Sequence, residues 1–167
     1  MPAGMVASIL EAARLAPSAC NRQPWRFAVV TAAAQRERLF REGFLPGLGM
    51  AWVRPAPVLL VLGIERSVVA HRLAPRITGV DYPLLDLGIA GEHAVLQAAE
   101  LGLGTCWIGW INPRAVRRIV GWPASILPQV VISIGWPDGS QPDRSPRKVL
   151  EEIVTWCGDG ERPSSRP

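Results

Sequence analysis

The sequence predicts one domain in which helices alternate with short apolar strands. The chain has 167 residues, a length typical of one domain. Hydrophobic residues make up 49% of it and charged residues 19%, which places it outside the disordered class. This apolar excess also favours an oligomer, because it exceeds what one monomer of this size is expected to cover. Residues 1–157 are predicted to form the domain, and residues 158–167, which lack core-forming side chains, a disordered tail.

The first third of the chain predicts a helix, a loop, a strand and a second helix. Residues 3–15 carry apolar side chains at helical spacing. Because proline lacks an N–H and fixes φ, Pro17 and Pro24 require the helix to end near Leu15 and the strand to begin no earlier than Trp25. The strand is predicted at residues 27–31 and the second helix at residues 33–41.

The rest of the chain predicts three more strands and two more helices. Residues 58–64 form an uninterrupted apolar run, which is typical of a strand buried on both faces. Asn112 and Pro113 suit the N-cap and first position of a short helix that ends near Gly121, and Gly102 is expected to end the helix before it. The other elements are an irregular surface loop at 67–82, a long helix at 84–101, and strands at 105–111 and 129–135.

The long helix at 84–101 is apolar on most faces and rich in glycine and alanine. Small side chains let another backbone approach closely. A helix that is apolar nearly all round must be buried. The pattern leaves two places for it, the core of the monomer or a contact between subunits.

Composition argues against several kinds of partner. The net charge of +4 comes from 18 basic residues scattered along the chain, which disfavours nucleic-acid binding. No apolar run is long enough to span a membrane and no export signal is evident, so the expected location is the cytoplasm. Two isolated histidines and three cysteines without a C-x-x-C spacing predict no metal site and free thiols at Cys20, Cys106 and Cys157. Cys20 and Cys106 are expected to be buried and inert.

The most informative segment is the polar loop between the first helix and the first strand, with the sequence APSACNRQPWRF. Ser18, Asn21 and Gln23 bring side-chain donors and acceptors, and Arg22 and Arg26 bring guanidinium groups. The backbone N–H groups of the loop are expected to be free as well. These features predict a loop that binds a ligand.

This loop resembles the flavin-binding loop of the nitroreductase family, the FMN-dependent NAD(P)H oxidoreductases. Two later segments agree with it. ELGLGTCWIGW at 100–110 is similar to the family segment that lies against the flavin ring, and PRKVLEEIV at 146–154 is similar to the basic segment near the end of many members. The resemblance implies an α+β fold, three-layered α/β/α with a mostly antiparallel central sheet. It also implies a homodimer with two FMN sites at the interface, to which the long helix would contribute.

The resemblance assigns the flavin contacts too. Ile108 and Gly109 would offer backbone N–H groups near N5 and O4 of the ring, where glycine permits close approach. Arg147 and Lys148 would pair with the FMN phosphate, or else form only a solvated pair of cations. No side chain receives a catalytic role, because the isoalloxazine ring itself accepts and donates the electrons. The residues expected to contact the FMN held mainly by the other subunit are Pro17, Ser18, Ala19, Asn21 and Gln23.

The reaction implied by the resemblance is ping-pong. NAD(P)H would reduce bound FMN and leave, and a small, flat, electron-poor acceptor such as a nitroaromatic, a quinone or an enone would take the electrons. Trp107 and Trp110 are candidates for the walls of the flavin slot. Two alternatives stay open, a flavin-binding protein without turnover and a relative that fragments flavin, as in synthesis of the lower ligand of cobalamin.

The chain departs from the family pattern near its start. Members usually carry, before the first matched helix, another helix with an Arg-Ser-x-Arg-x-Phe motif that binds the FMN phosphate and ribityl chain. Here residues 6–14 already match the helix that precedes the loop. The expectation is therefore a misplaced start, a shortened gene, or FMN binding with weaker phosphate contacts.

Overall fold

The computed structural model describes most of the chain, namely residues 1–65, 77–139 and 145–157. The tail predicted at 158–167 lies outside these residues, and so does the predicted surface loop up to residue 76. The chain divides into two compact units, Met1–Pro137 and Asp138–Pro167, each described by itself. A single domain over 1–157 stays a prediction.

The elements follow the predicted order. The helices are α1 (Ala3–Arg14), α2 (Ala33–Arg38), α3 (Tyr82–Glu100), α4 (Pro113–Val120) and α5 (Leu150–Ile153). The strands are β1 (Trp25–Val30), β2 (Val58–Glu65), β3 (Gly104–Ile108) and β4 (Ile126–Gly135). Short helical turns occupy Ala19–Asn21, Leu39–Gly43 and Met50–Val53.

Local chemistry explains most of the boundaries. Asn112 caps α4 through a hydrogen bond from the Ala115 N–H to its Oδ1 at 3.2 Å, and Gly121 ends that helix with φ of 72°. Gly102 ends α3 with φ of 73°, so its predicted role is confirmed. β3 stops at Ile108, three residues earlier than predicted, because the chain turns at the next residue.

The four strands of the described residues form one antiparallel sheet in the order β1-β2-β4-β3. Trp25 pairs with Ile64 across β1 and β2, and Ile108 pairs with Val131 across β3 and β4. Every residue of β2 from Val58 to Ile64 is buried. The prediction of a central strand covered on both faces is confirmed.

Two apolar clusters cover the two faces of the sheet. Leu60 and Leu62 of β2 belong to the cluster under α1 and α3. Leu59 and Val61 belong to the opposite cluster, which α4 and the turn after α2 cover. Because successive side chains of a strand point to opposite faces, one strand serves both clusters. The α+β architecture with three layers, α/β/α, is confirmed.

Helix α3 is buried on one face only. Leu87, Ala90 and Ala94 are buried against the sheet and α1, whereas Leu85 and Leu96 on the other side are 53% and 62% exposed. The chain by itself therefore leaves an apolar face of α3 uncovered. Within the described residues, no helix combines the length and the hydropathy that crossing a bilayer requires.

Candidate functional site

The loop before β1 has an unusual backbone conformation. Cys20, Asn21 and Gln23 have φ of 51°, 53° and 50°, in the left-handed region that non-glycine residues seldom adopt. Each such residue costs about 1–2 kcal/mol. Interactions elsewhere in the loop must offset this cost, and such strain is concentrated at functional sites.

Side chains within the loop supply part of that stabilisation. The Gln23 N–H donates to Ser18 Oγ at 3.0 Å, and Gln23 Nε2 donates to Asn21 Oδ1 at 2.9 Å. The sequence predicts these three polar side chains as ligand contacts, and the structure brings them together, bonded to one another. The Ser18 hydroxyl proton and the Asn21 amide protons are not used in these bonds, so both side chains still have donors to offer.

A buried carboxylate on helix α3 accepts a hydrogen bond from the same loop. The Ala19 N–H donates to Asp86 Oδ1 at 3.0 Å, and Asp86, on α3, is only 3% exposed. The expectation that the N–H groups of the loop are free is wrong for four residues, whose N–H groups all donate within the protein, namely Ala19, Asn21, Arg22 and Gln23. Sequence reasoning missed Asp86, although an acidic residue on the apolar face of a predicted helix was a signal that could have identified it.

The two arginines of the loop differ in whether their guanidinium groups are free to contact a ligand. Arg26 forms an ion pair with Glu65, across β1 and β2, and its Nη1 donates to the Trp25 carbonyl at 2.7 Å. Arg22 is exposed. Pro17, at the start of the loop, is exposed as well. A guanidinium that can meet a ligand is therefore Arg22 rather than Arg26.

The turn after β3 is held mainly by backbone hydrogen bonds. The Ile111 N–H donates to the Gly109 carbonyl at 2.9 Å, and the Asn112 N–H donates to the Gly43 carbonyl at 2.7 Å. Trp110 is fixed at both ends, because its carbonyl accepts from the Leu45 N–H at 3.1 Å and its Nε1 donates to the Pro46 carbonyl at 2.9 Å. The turn is thus tied to residues 43–46.

Gly109 leaves room in front of this turn. A Cβ built on Gly109 would meet no atom within 4 Å, and Gly109 is exposed, whereas the Ile108 side chain is buried in the core. The half-exposed indoles of Trp107 and Trp110 lie on either side in the sequence. The Trp107 ring packs at Gly91 of α3, whereas the Trp110 indole belongs to the turn itself. An open backbone in a turn that carries a half-exposed indole fits a flat ring system with polar edges, such as the isoalloxazine of FMN.

The candidate site has two halves, the loop before β1 and the turn after β3. Both lie towards the same end of the sheet, but on its opposite edges. β1 begins at that end and β3 finishes towards it, because the strands alternate in direction. Three strand spacings, about 14 Å, separate the two edges across the sheet. Within one protomer, the width of the sheet therefore separates Asn21 from Gly109.

This fold and this pairing of loop and turn can be compared with known proteins. A model of the Nitroreductase family matches residues 1–45 and 41–136. The chain belongs to the nitroreductase family.

Individual relatives agree with that assignment. An NADH dehydrogenase of Thermus thermophilus is 30% identical, with 93% of this chain and 86% of that protein covered. An FMN reductase (NAD(P)H) of Bacillus subtilis is 33% identical, with 92% and 66% covered. Among solved structures, an FMN-dependent nitroreductase of Clostridium difficile superposes with a TM-score of 0.75 at 25% identity, covering 93% of this chain and 88% of that one. The predicted family and fold are confirmed.

The two basic residues that the nitroreductase resemblance assigns to the phosphate belong to the second unit. Arg147 and Lys148 are both exposed. Arg147 Nη1 donates to the Ser145 carbonyl at 2.8 Å and to the Pro146 carbonyl at 3.4 Å. Their role at the FMN phosphate stays a prediction.

The three cysteines are free, as predicted, and all three are exposed, so the prediction that Cys20 and Cys106 are buried is wrong. The prediction failed because Cys20 lies in the projecting loop and Cys106 on the outermost strand of the described sheet. Partial burial raises the pKa of the Cys106 thiol, which favours the unreactive protonated form. The described residues contain no cluster of three potential metal ligands.

A cavity of about 280 Å³ lies elsewhere, between α2, the Met50–Val53 turn and β2. Its two arginines are engaged with the protein. Arg36 donates to the carbonyls of Thr31 and Ala56, and Arg54 pairs with Glu37 and lies over the Phe40 ring. None of the predicted flavin contacts lines this cavity, so we assign the candidate site to the loop and the turn.

Proposed function

We propose that this chain is an FMN-dependent oxidoreductase that passes electrons from NAD(P)H to a small, flat, electron-poor acceptor such as a nitroaromatic, a quinone or an enone. Membership of the nitroreductase family, together with relatives named NADH dehydrogenase and FMN reductase, supports an NAD(P)H-dependent flavin oxidoreductase. The observation that carries the finer proposal is the open backbone at Gly109, in the turn that also carries the half-exposed indole of Trp110.

FMN, when bound, supplies the redox chemistry through its own ring system. The chain's part is to hold the ring. The backbone at Gly109 has space for close approach of a ring edge, and Trp110 is immobilised by its bonds to Leu45 and Pro46. A rigid indole near the ring excludes water and offers a flat surface to an acceptor. No acid or base of the chain is needed at this step.

The loop half of the site would serve the flavin of a second subunit. In one protomer, the loop and Gly109 are separated by the width of the sheet. The exposed leucines of α3 offer an apolar surface for a partner copy. We therefore propose a homodimer in which Ser18, Asn21 and the other loop residues of one protomer contact FMN held mainly by its partner. Hydroxyl and amide donors suit the polar edge of the ring.

The test is titration of the purified full-length chain with FMN, followed by anaerobic addition of NADH or NADPH. We expect bound, fluorescence-quenched flavin, bleaching of its visible absorbance by the nicotinamide, and return of that absorbance when a quinone or a nitroaromatic is added. Protein that binds no FMN would contradict the proposal. Flavin that binds and is never bleached would support the non-catalytic alternative, and a benzimidazole product detected by mass would support flavin fragmentation.

A further inference from the structure

Asp86 is an ionisable group that the proposed chemistry does not use. It lies in the second turn of α3 among Pro83, Leu87 and Ala90, which are all buried. Burying a carboxylate is costly unless it is paired or hydrogen-bonded. Within the described stretches, Asp86 forms no ion pair, and the Ala19 N–H is the donor that bonds to it. A costly group in this position indicates a specific role.

Its partner lies at the point where the loop becomes strained. Ala19 begins the short turn Ala19–Asn21, and the left-handed residues Cys20 and Asn21 follow directly. The Arg22 N–H closes the turn by donating to the Ala19 carbonyl at 3.1 Å. Fixing the peptide at Ala19 therefore fixes the origin of the strained segment.

A purely local loop would relax without such an anchor. Two consecutive left-handed residues are unfavourable relative to ordinary conformations, and the hydrogen bonds within the loop are exposed to solvent. The bond from Ala19 to Asp86 is partly buried and joins residues 67 positions apart, and a hydrogen bond to a charged group is stronger than one between neutral groups. It holds the loop to the helix layer of the fold.

We propose that Asp86 is a positioning residue for flavin binding. Its carboxylate holds the Ala19 amide, so that Ser18 and Asn21 are presented in the geometry that the flavin of the partner subunit requires. The inference rests on the proposed function, since it assigns the loop to an FMN site. Asp86 touches no flavin itself.

The experiment compares Asp86→Leu and Asp86→Asn with the wild-type protein, using two readouts. The first is exchange of the Ala19 amide hydrogen in the FMN-free protein, and the second is the Kd for FMN. Leucine has the same branched arrangement of side-chain heavy atoms and no acceptor, so we expect Ala19 exchange at least about tenfold faster and an FMN Kd raised about tenfold. Asparagine keeps an acceptor oxygen, so both readouts should stay within about threefold of wild type.

Asp81→Ala is the matched control. Asp81 caps the same helix, α3, by accepting the Leu84 N–H at 3.3 Å, and it does not contact the loop. Its loss should lower stability, because an N-cap is removed, and leave Ala19 exchange and FMN affinity unchanged. Asp86→Leu, by contrast, also removes the cost of a buried charge, so its effect on FMN does not have to follow its melting temperature.

If Asp86→Leu does not fold, Ala19→Pro removes the same hydrogen bond from the donor side. Ser18 has φ of −144° and ψ of 155°, a conformation compatible with a following proline. The same rise in FMN Kd, about tenfold, is expected, and an unchanged Kd in Ala19→Pro would contradict the inference.

Two results would overturn the inference while the proposed function stands. One is unchanged Ala19 exchange in Asp86→Leu, and the other is faster exchange with an unchanged FMN Kd. Wild-type protein that binds no FMN would instead defeat the proposed function, and this inference with it. A Kd raised equally in Asp86→Leu and Asp81→Ala would reduce the effect to general stability and also contradict the inference.

Discussion

The loop before β1 and the turn after β3 form the two halves of the candidate site, yet different bonds hold them. In the loop, the side chains of Ser18, Asn21 and Asp86 accept three of the hydrogen bonds that shape it, in addition to those accepted by the Ser18 and Ala19 carbonyls. In the turn, backbone carbonyls accept all the bonds described above, including the one from the Trp110 indole. The loop also contains three left-handed non-glycine residues, whereas the turn has room to spare at Gly109.

The contrast predicts different sensitivities to mutation. A conformation shaped by side chains changes when one of those side chains is removed. A conformation shaped by backbone bonds tolerates most substitutions and is sensitive mainly to what fills the space in front of it. The following predictions test this difference, beginning with the largest expected effect.

Gly109→Val should abolish most flavin binding without unfolding the protein. The valine side chain enters space that is open in the free chain and that we assign to the ring. Overpacking of this kind costs up to about 3 kcal/mol, which weakens FMN binding about a hundredfold. The measurement is the FMN Kd, together with the urea midpoint of the FMN-free protein, which should stay near that of wild type.

Gly49→Val is the control for that substitution. Gly49 also has open space around its Cβ position and an ordinary φ of −69°, and it is exposed outside the proposed site. Its valine variant should bind FMN as wild type does. Equal FMN affinities for Gly109→Val and wild type would remove Gly109 from the site.

Replacing a cysteine by valine should lower the stability of the protein when the cysteine lies in the loop, but not when it lies in the strand that leads to the turn. Cys20 has φ of 51°, which is poorly suited to a β-branched residue, so Cys20→Val should lower the free energy of unfolding by about 1 kcal/mol. Cys106 lies in strand β3, where valine is favoured, so Cys106→Val should change it by less than about 0.5 kcal/mol.

Urea denaturation of the two variants provides the comparison. Cys20→Gly is a useful third variant, because glycine adopts a positive φ without strain and should be at least as stable as wild type. If Cys20→Val and Cys106→Val unfold at the same urea concentration, the left-handed conformation of the loop is not a feature of the protein in solution.

The smallest expected effect is a pH dependence near the turn. The hydrogen bond from Arg118 lowers the pKa of the Glu42 carboxyl, and Arg38 adds to this effect. A lowered pKa contributes stability above the unfolded value of about 4.3, and that contribution is lost as the pH falls through the folded value. Glu42→Gln should therefore be slightly less stable than wild type at neutral pH and equal to it in acid.

Glu11→Gln is the matched comparison, because Arg14 lowers the pKa of Glu11 in the same direction on helix α1. Both variants should lose a small, pH-dependent part of their stability in thermal unfolding. Only Glu42→Gln should also speed exchange of the Asn112 amide, which donates to the neighbouring Gly43 carbonyl. Equal Asn112 exchange in both variants would show that the Glu42 ion pairs do not support the turn.

Sequence reasoning succeeded where a residue acts on its own backbone. Pro24 allowed β1 to begin at Trp25, Asn112 caps α4, and Gly102 ends α3. It failed where the outcome depended on what lies across the fold. Cys20 and Cys106 are exposed rather than buried, and the Ala19 N–H, which was expected to be free, donates to Asp86 of helix α3.

The sequence by itself determined the order of the main elements, the boundaries set by proline, glycine and the Asn112 cap, the buried central strand and, through the resemblance, the family. These follow from local limits on φ, from the supply of N–H donors and from runs of apolar side chains. Only the tertiary structure placed the loop and the turn on opposite edges of one sheet, and only it paired Ala19 with Asp86, 67 residues away. Such a pairing depends on which surfaces meet when the layers pack, and no local rule of the chain fixes that.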